Sequence, residues 1–396
     1  MVVDQVLIRR VRGAKLRASS KLLTQTNAYK EEPVEKIRSI HYLRGIAALL
    51  VVAFHLRSNL NNVYAQKDLG SLLFSSGSAG VDLFFIISGF IIALSTSSIK
   101  SSRPVDFIVK RFFRIYPMLT LSLIALFFIM PNQSAIEYLR SAIPLHLNYH
   151  DAAPFFGFNS LMTAWTLTFE LFFYILFVIS MSFSHKNRTF ICTMLIVMLF
   201  VSTQMYYNGS IDFSGHASAE ISNVSNAILV LAKLSSSPMM LEFVFGMLLF
   251  EYRNQLSMVL GSKQVLTLCI VTYIVFFISG YRYFFGPLNF GLWGLILAIG
   301  TVSYEQNHEI KHNSTLSFFG DISYSIYLVH ILVIEFFRTY WPDFPIYNQG
   351  PGFARFIMLM SISIGLSFLS FRYIEMPCVK LGKRLTRKSK PLAVSA

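Results

Sequence analysis

Apolar positions in this chain come in long blocks separated by short polar gaps. Ten blocks, at about 39–57, 78–97, 115–130, 161–183, 190–207, 227–251, 264–280, 287–304, 316–337 and 354–374, approach or exceed the length of a membrane span. A spanning helix needs roughly 20 predominantly apolar residues. The third block is short, and Ser235-Ser-Ser-Pro238 breaks the sixth, which either starts at 227 or begins at Pro238. The pattern predicts an all-α protein, a polytopic membrane helix bundle of about ten transmembrane helices. No internal repeat marks the inverted halves of a transporter.

Charge placement orients this bundle. An even span count puts both termini on one side. With the N-terminus inside, 26 of the 34 Lys and Arg fall in inner segments, 7 in outer ones, and Arg44 within a span. That imbalance predicts cytoplasmic termini. Three segments follow: a basic cytoplasmic tail at 1–38, partly resting on anionic lipid, a transmembrane domain at 39–375, and a second basic tail at 376–396. No apolar core appears in the first thirty residues, so no cleaved signal peptide is expected. The net charge of +14 does not point to nucleic acid, because the basic residues lie in the gaps between blocks and 54% of the chain is hydrophobic. Cys192, Cys269 and Cys378 are isolated and form no metal spacing, and no metal site is expected. Nothing resembles a Walker loop or a Rossmann fingerprint.

Ionisable residues inside the blocks carry the candidate chemistry, since each costs roughly 2.5–3.5 kcal/mol to place in lipid and so should face protein or a wet cavity. In the first block His41, Arg44, Ala48 and His55 share a stripe; Arg44 and His55 lie about 16 Å apart along the axis. Arg44 otherwise reads as a residue snorkelling to one membrane face. Asp82, near the outer end of the second block, either caps a helix start or orients a histidine. Ser88-Gly89 reads as a close helix contact. Arg111 and Arg114, at i,i+3 before the third block, read as a phosphate clamp or as an ordinary positive inner flank. Glu170 shares a face with Thr163, Thr166 and Tyr174 and must be protonated or paired, with His55 a suitable partner. Glu242 raises the same question. Ser323, Tyr327 and His330 form a stripe at i, i+4, i+7 that suits sugar hydroxyls or interhelical hydrogen bonds. The longest outer loops, 131–160 and 208–237, are rich in Asn, Ser, Pro and aromatics and suit packing over an acceptor entrance.

Six segments in order resemble the acyltransferase-3 family of integral membrane acyltransferases across nearly all of residues 37–385. They are Tyr42-Leu-Arg-Gly-Ile-Ala-Ala-Leu-Leu-Val-Val-Ala-Phe-His55, which is similar to the family's Arg-x10-His signature, Val81-Asp-Leu-Phe-Phe-Ile-Ile-Ser-Gly89, Lys110-Arg-Phe-Phe-Arg-Ile-Tyr-Pro117, Trp165-Thr-Leu-Thr-Phe-Glu170, Ile322-Ser-Tyr-Ser-Ile-Tyr-Leu-Val-His330 and Arg372-Tyr-Ile-Glu-Met-Pro377. Each is weak alone; the ordered set is specific.

The resemblance implies ten-helix enzymes that O-acylate surface polysaccharides and related acceptors from cytoplasmic acyl-CoA, usually acetyl-CoA. It implies His55 as the catalytic residue, Arg44 as its essential companion, and Arg111 and Arg114 as donor-binding. Glu170 matches an acidic motif position and joins the catalytic set. Asp82, Ser323, Tyr327 and His330 are taken as substrate-binding. In the expected reaction His55, oriented by Glu170 or Asp82, takes a proton from a sugar hydroxyl; the alternative route is a covalent acyl-His55. Expected partners are acyl-CoA, a glycan or lipid-linked saccharide acceptor, membrane lipid and polysaccharide-assembly proteins, in a bacterial inner (plasma) membrane. The competing functional class is a transporter or flippase of lipid-linked sugars, with a non-catalytic assembly scaffold as a third.

Overall fold

The computed structural model describes residues 37–97, 103–131 and 133–388. Residues 1–36 of the basic tail, 98–102, 132 and 389–396 lie outside the described residues, and so do the expectations placed on them. Among the described residues all regular structure is helical. The long helices are α1 Arg38–Leu56, α2 Gly80–Ser95, α3 Pro104–Ile129, α4 Ala135–Ala142, α5 Trp165–Phe183, α6 Arg188–Asn208, α7 Ala227–Ser235, α8 Met240–Leu260, α9 Lys263–Ser279, α10 Phe290–Asn307, α11 Ser314–Tyr340, α12 Phe353–Ser370 and α13 Met376–Lys388.

Every apolar block of the sequence falls on a helix, yet the count of ten spans is not reproduced by length and composition. Among the described residues seven helical stretches are long and apolar enough to cross a membrane, and eight if the bent pair α7–α8 counts as one span. That pair bends by 56° at the break holding Pro238, where the sequence is interrupted. Helix α9 is apolar but shorter than these spans. The protein is a multi-pass membrane protein on this architecture.

Helix α3 begins eleven residues before its apolar block. Arg103 is extended, Pro104 occupies the first helical turn, and Arg103 pairs with Asp106 at 2.9 Å, which together favour a helix start. The helix then runs through Lys110, Arg111 and Arg114 without interruption. Arg111 and Arg114 therefore belong to its body and not to a flanking loop. They turn toward protein, as the rings of Tyr174 and Tyr324 lying 5.5 and 5.3 Å from their guanidinium carbons show.

Small residues set the helix spacing. A Cβ at Gly45 of α1 would come within 2.6 Å of Gly320 N on α11, and one at Gly320 within 2.5 Å of the His41 carbonyl. Likewise Gly89 of α2 lies on the Phe243 carbonyl and Gly246 of α8 on the Ile86 carbonyl. Such contacts let backbones approach where lipid supplies no hydrophobic drive between helices. Between α2, α5 and α8, Phe243 stacks on Phe173 at 4.4 Å and packs tilted against Phe85 at 4.7 Å.

The end carrying Arg38, Arg103, Lys186 and Lys311 is the basic end. At the opposite end, the segment after α4 folds back on itself, with Leu147 N donating to Phe158 O at 2.8 Å and Asn148 N to Phe156 O at 3.0 Å. Phe155 bridges this cap to Trp165 and Phe285, and His216 stacks on Phe284 at 3.6 Å. His146 is fully buried here among Tyr149, Phe156 and Phe169, and that burial lowers its pKa to about 3.

Candidate functional site

Two parallel helices place two histidines at the same height. Gly45 and Gly320 touch where α1 meets α11, and in each helix a histidine follows ten residues later, about 15 Å along the axis. His55 and His330 accordingly meet, with ring centroids 5.1 Å apart. His330 Nδ1 lies 2.8 Å from Ile326 O, and His55 Nδ1 lies 2.9 Å from Val51 O. A carbonyl only accepts, so each Nδ1 carries a proton. In neutral rings each Nε2 then has a lone pair. His330 Nε2, 3.3 Å from His55 Nδ1, is thereby a second and longer acceptor of the N–H that Val51 O takes at 2.9 Å. His55 Nε2 has no protein partner among the described residues and is the available base.

One helical turn toward the basic end a cavity opens, with about 780 Å³ of space that includes its open mouth. Its wall includes Arg44, Arg111, Arg114, Glu170, Ser323 and Tyr327. Arg44 lines it and makes no hydrogen bond to the described residues, so a half-buried cation presents its donors to the space. Arg111 donates to Ser95 Oγ at 3.0 Å. Arg114 is held by Glu375, whose second oxygen accepts from Ser325 Oγ at 2.6 Å. Glu375 is aimed by the π-helical turn Phe371–Glu375 that precedes α13. Pro377 follows it, and its ring and missing N–H prevent an ordinary helical turn there.

The other predicted residues divide between the cavity and its surroundings. Glu170 accepts from Ser88 Oγ at 3.2 Å and from the Tyr174 hydroxyl, so it is satisfied inside the cavity and does not reach His55. Ser88 therefore serves Glu170 while Gly89 alone makes the close helix contact. Tyr327 donates to Thr163 O and shares a hydrogen bond with Thr166 Oγ1, both at 3.0 Å. Ser323 bonds within its own helix, to Gly320 O. Asp82 lies off the cavity, fully buried, accepting from Gly286 N at 2.8 Å, which pins the 281–289 loop. It does not orient His55. Glu242, equally buried, sits beside Gly291, where a Cβ would come within 2.8 Å of its Oε1. Among the described residues no group of three or more His, Cys, Asp or Glu is placed to hold a metal.

Sequence reasoning missed the pairing of His330 with His55 and the role of Glu375. The equal ten-residue spacing from Gly45 and Gly320 was a signal for the first. For the second, a lone carboxyl in Arg372-Tyr-Ile-Glu-Met-Pro377 beside a proline was the only hint.

Comparison with known proteins gives the same direction. A family model described as an acyltransferase domain matches residues 37–372. The exopolysaccharide production protein ExoZ of Rhizobium meliloti is 27% identical over 274 residues, covering 66% of this chain and 78% of its own. The peptidoglycan O-acetyltransferase OatA of Listeria monocytogenes is 28% identical over 383 residues, 87% of this chain and 56% of its own. A putative O-acetyltransferase of Staphylococcus aureus is 25% identical over 387 residues, 89% of this chain and 59% of its own. The chain thus spans little more than half the length of these last two relatives. No solved structure matches.

Proposed function

The chain belongs to the acyltransferase family whose domain model it matches, and from that premise we propose that it transfers an acyl group, acetyl in the first instance, from acyl-CoA to a hydroxyl of a surface polysaccharide or lipid-linked glycan. The observation that carries this reading is the alignment, along α1 and α11, of a cavity presenting the unpartnered Arg44 with a histidine pair that leaves His55 Nε2 open. The relatives named O-acetyltransferases favour group transfer over the transport alternative.

In this reading the basic end faces the cytosol of a bacterial inner membrane, with ten spans and both termini inside. Donor phosphates are met by Arg111 near the cavity's basic end and by Arg44 deeper in. Arg114, neutralised by Glu375, shapes the wall more than it adds charge. The separation of about 16 Å between Arg44 and His55 supports a role for Arg44 at the anionic donor over one at the reacting carbonyl.

His55 Nε2 takes the proton of the acceptor hydroxyl as its oxygen bonds to the thioester carbonyl carbon. The carbon–sulfur bond breaks, and the imidazolium returns the proton to the leaving thiolate, so that ester and free thiol form with no net proton change. Val51 O and His330 Nε2 share the His55 Nδ1–H and stabilise the imidazolium. A positioned base of this kind contributes roughly 10²–10⁴-fold. The same Nε2 would be the nucleophile in a ping-pong route, which an acyl-histidine trapped without acceptor reveals.

The test is purified protein in nanodiscs, given acetyl-CoA with and without bacterial surface glycan. Glycan-dependent thiol release and ester on the glycan are expected. Sugar-lipid translocation with no thiol released would overturn the enzyme reading.

A further inference from the structure

The cavity is lined on this side by Tyr327 on α11 and by Phe84 and Val81 on α2; His330, one turn beyond Tyr327, and His55 line none of it. The Phe84 and Tyr327 rings close edge to face across this end, centroids 5.6 Å apart at 71°. On its far side Tyr327 lies 6.4 Å from the His330 ring. The pair therefore stands between the cavity and His330 on the α11 side.

The two leaves of the pair are held differently. Tyr327 is buried, with its hydroxyl fixed by Thr163 O and Thr166 Oγ1. Phe84 has no polar anchor and is half-buried, so it is the side chain with freedom to turn. At and beyond the height of Tyr327, Val52, Leu56 and His330 are buried, which narrows the space for a chain to extend. The acyl end of a thioester donor leads into the site, so each extra methylene must cross the pair and find space behind it.

We propose that Phe84, closing against the anchored Tyr327, is the residue that selects acyl length, admitting acetyl and rejecting longer chains. The inference rests on the acyl-transfer reading above and adds to it the acyl class and the side chain that sets it. A mismatch of one methylene in an apolar pocket is worth roughly 10–200-fold in kcat/KM. Two methylenes separate butanoyl from acetyl, so a preference for acetyl of at least about tenfold is expected from the pair alone.

The experiment measures thiol release by the full chain in nanodiscs with acetyl-, butanoyl- and hexanoyl-CoA, each with surface glycan. The wild-type protein should prefer acetyl over butanoyl by about tenfold or more. Phe84→Ala should bring the two within about threefold, and Phe84→Leu, which keeps an apolar side chain should the smaller variant not fold, should move the ratio the same way by less. Ile91→Ala, at the cavity wall nearer the basic end, should keep the wild-type ratio. An unchanged ratio in Phe84→Leu and Phe84→Ala, with the wild-type protein turning over, overturns the gate and leaves acyl transfer standing. An equal shift in Ile91→Ala overturns it too, by moving selection elsewhere in the cavity. Absence of thiol release from the wild-type protein with every donor overturns the acyl-transfer reading and the gate together.

Discussion

His330 Nε2 lies 3.3 Å from His55 Nδ1, joining α11 to α1 at residues 275 positions apart in sequence. The Val51 carbonyl keeps the proton on Nδ1, and the His330 contact holds the ring with Nε2 open, so His330 acts as a positioning residue. Replacing His330 with Ala should lower kcat by about 10²-fold, toward the lower bound for a misplaced base, with the donor KM unchanged. Gln at this position supplies an acceptor oxygen and should recover part of the loss. Steady-state kinetics of the two variants give the answer; a change in KM alone would make His330 a binding residue.

Arg44 presents its guanidinium to the cavity without a protein partner, which leaves its donors for a ligand. Arg44→Ala should raise the donor KM by at least about tenfold, equivalent to about 1.4 kcal/mol. Arg44→Lys should recover only part, since an ammonium lacks the planar fork. Rising salt should weaken donor binding in the wild-type protein and do so less in Arg44→Ala, read from KM across a salt series.

The Arg114–Glu375 pair is held where Glu375 is fully buried. Breaking it from one side strands a buried charge and should cost about 3–5 kcal/mol, whereas removing both charges together should cost much less. Thermal unfolding in detergent of Glu375→Ala, Arg114→Met and the double variant Arg114→Met/Glu375→Met distinguishes these, with the double variant expected to be more stable than Glu375→Ala.

His146 lies in the cap, outside the membrane-spanning segments, and burial lowers its pKa from 6.5 to about 3. The unfolded chain therefore binds the proton first as pH falls. The stability that neutral His146 contributes is complete above about pH 6.5 and is lost progressively as the pH drops toward 3, at up to about 1.4 kcal/mol per pH unit. The melting temperature should fall over that window in the wild-type protein, and His146→Leu should flatten the dependence. Equal pH profiles for the two would show that another group governs the cap.

Much of this arrangement is visible in the chain before it folds. Ten apolar blocks become helices because block length and helix length answer to the same bilayer, and the break at Pro238 appears as a bend because proline cannot continue the hydrogen-bond ladder. Arg44, Arg111, Arg114 and Glu170 meet in one cavity, as their cost in lipid requires. The start of α3 was hidden because Lys110, Arg111 and Arg114 cut the apolar run at 115, although both arginines face protein. Glu170 looked like the partner of His55 because an unpaired carboxyl demands one; Ser88 and Tyr174, on α2 and on its own helix, meet that demand instead. Such choices depend on which helices become neighbours, and the glycine contacts that decide it are spread over four helices.

The central claim is that His55 Nε2 takes acyl groups delivered through the cavity from the basic side. Sealed proteoliposomes of known orientation, with acetyl-CoA supplied only at the basic side and surface glycan only at the opposite side, test it most directly. The account predicts ester on the glycan and free thiol at the basic side for the wild-type protein, and neither for a folded His55→Ala variant. Ester formed at an undiminished rate by His55→Ala, or only when donor and glycan share one side, would contradict it.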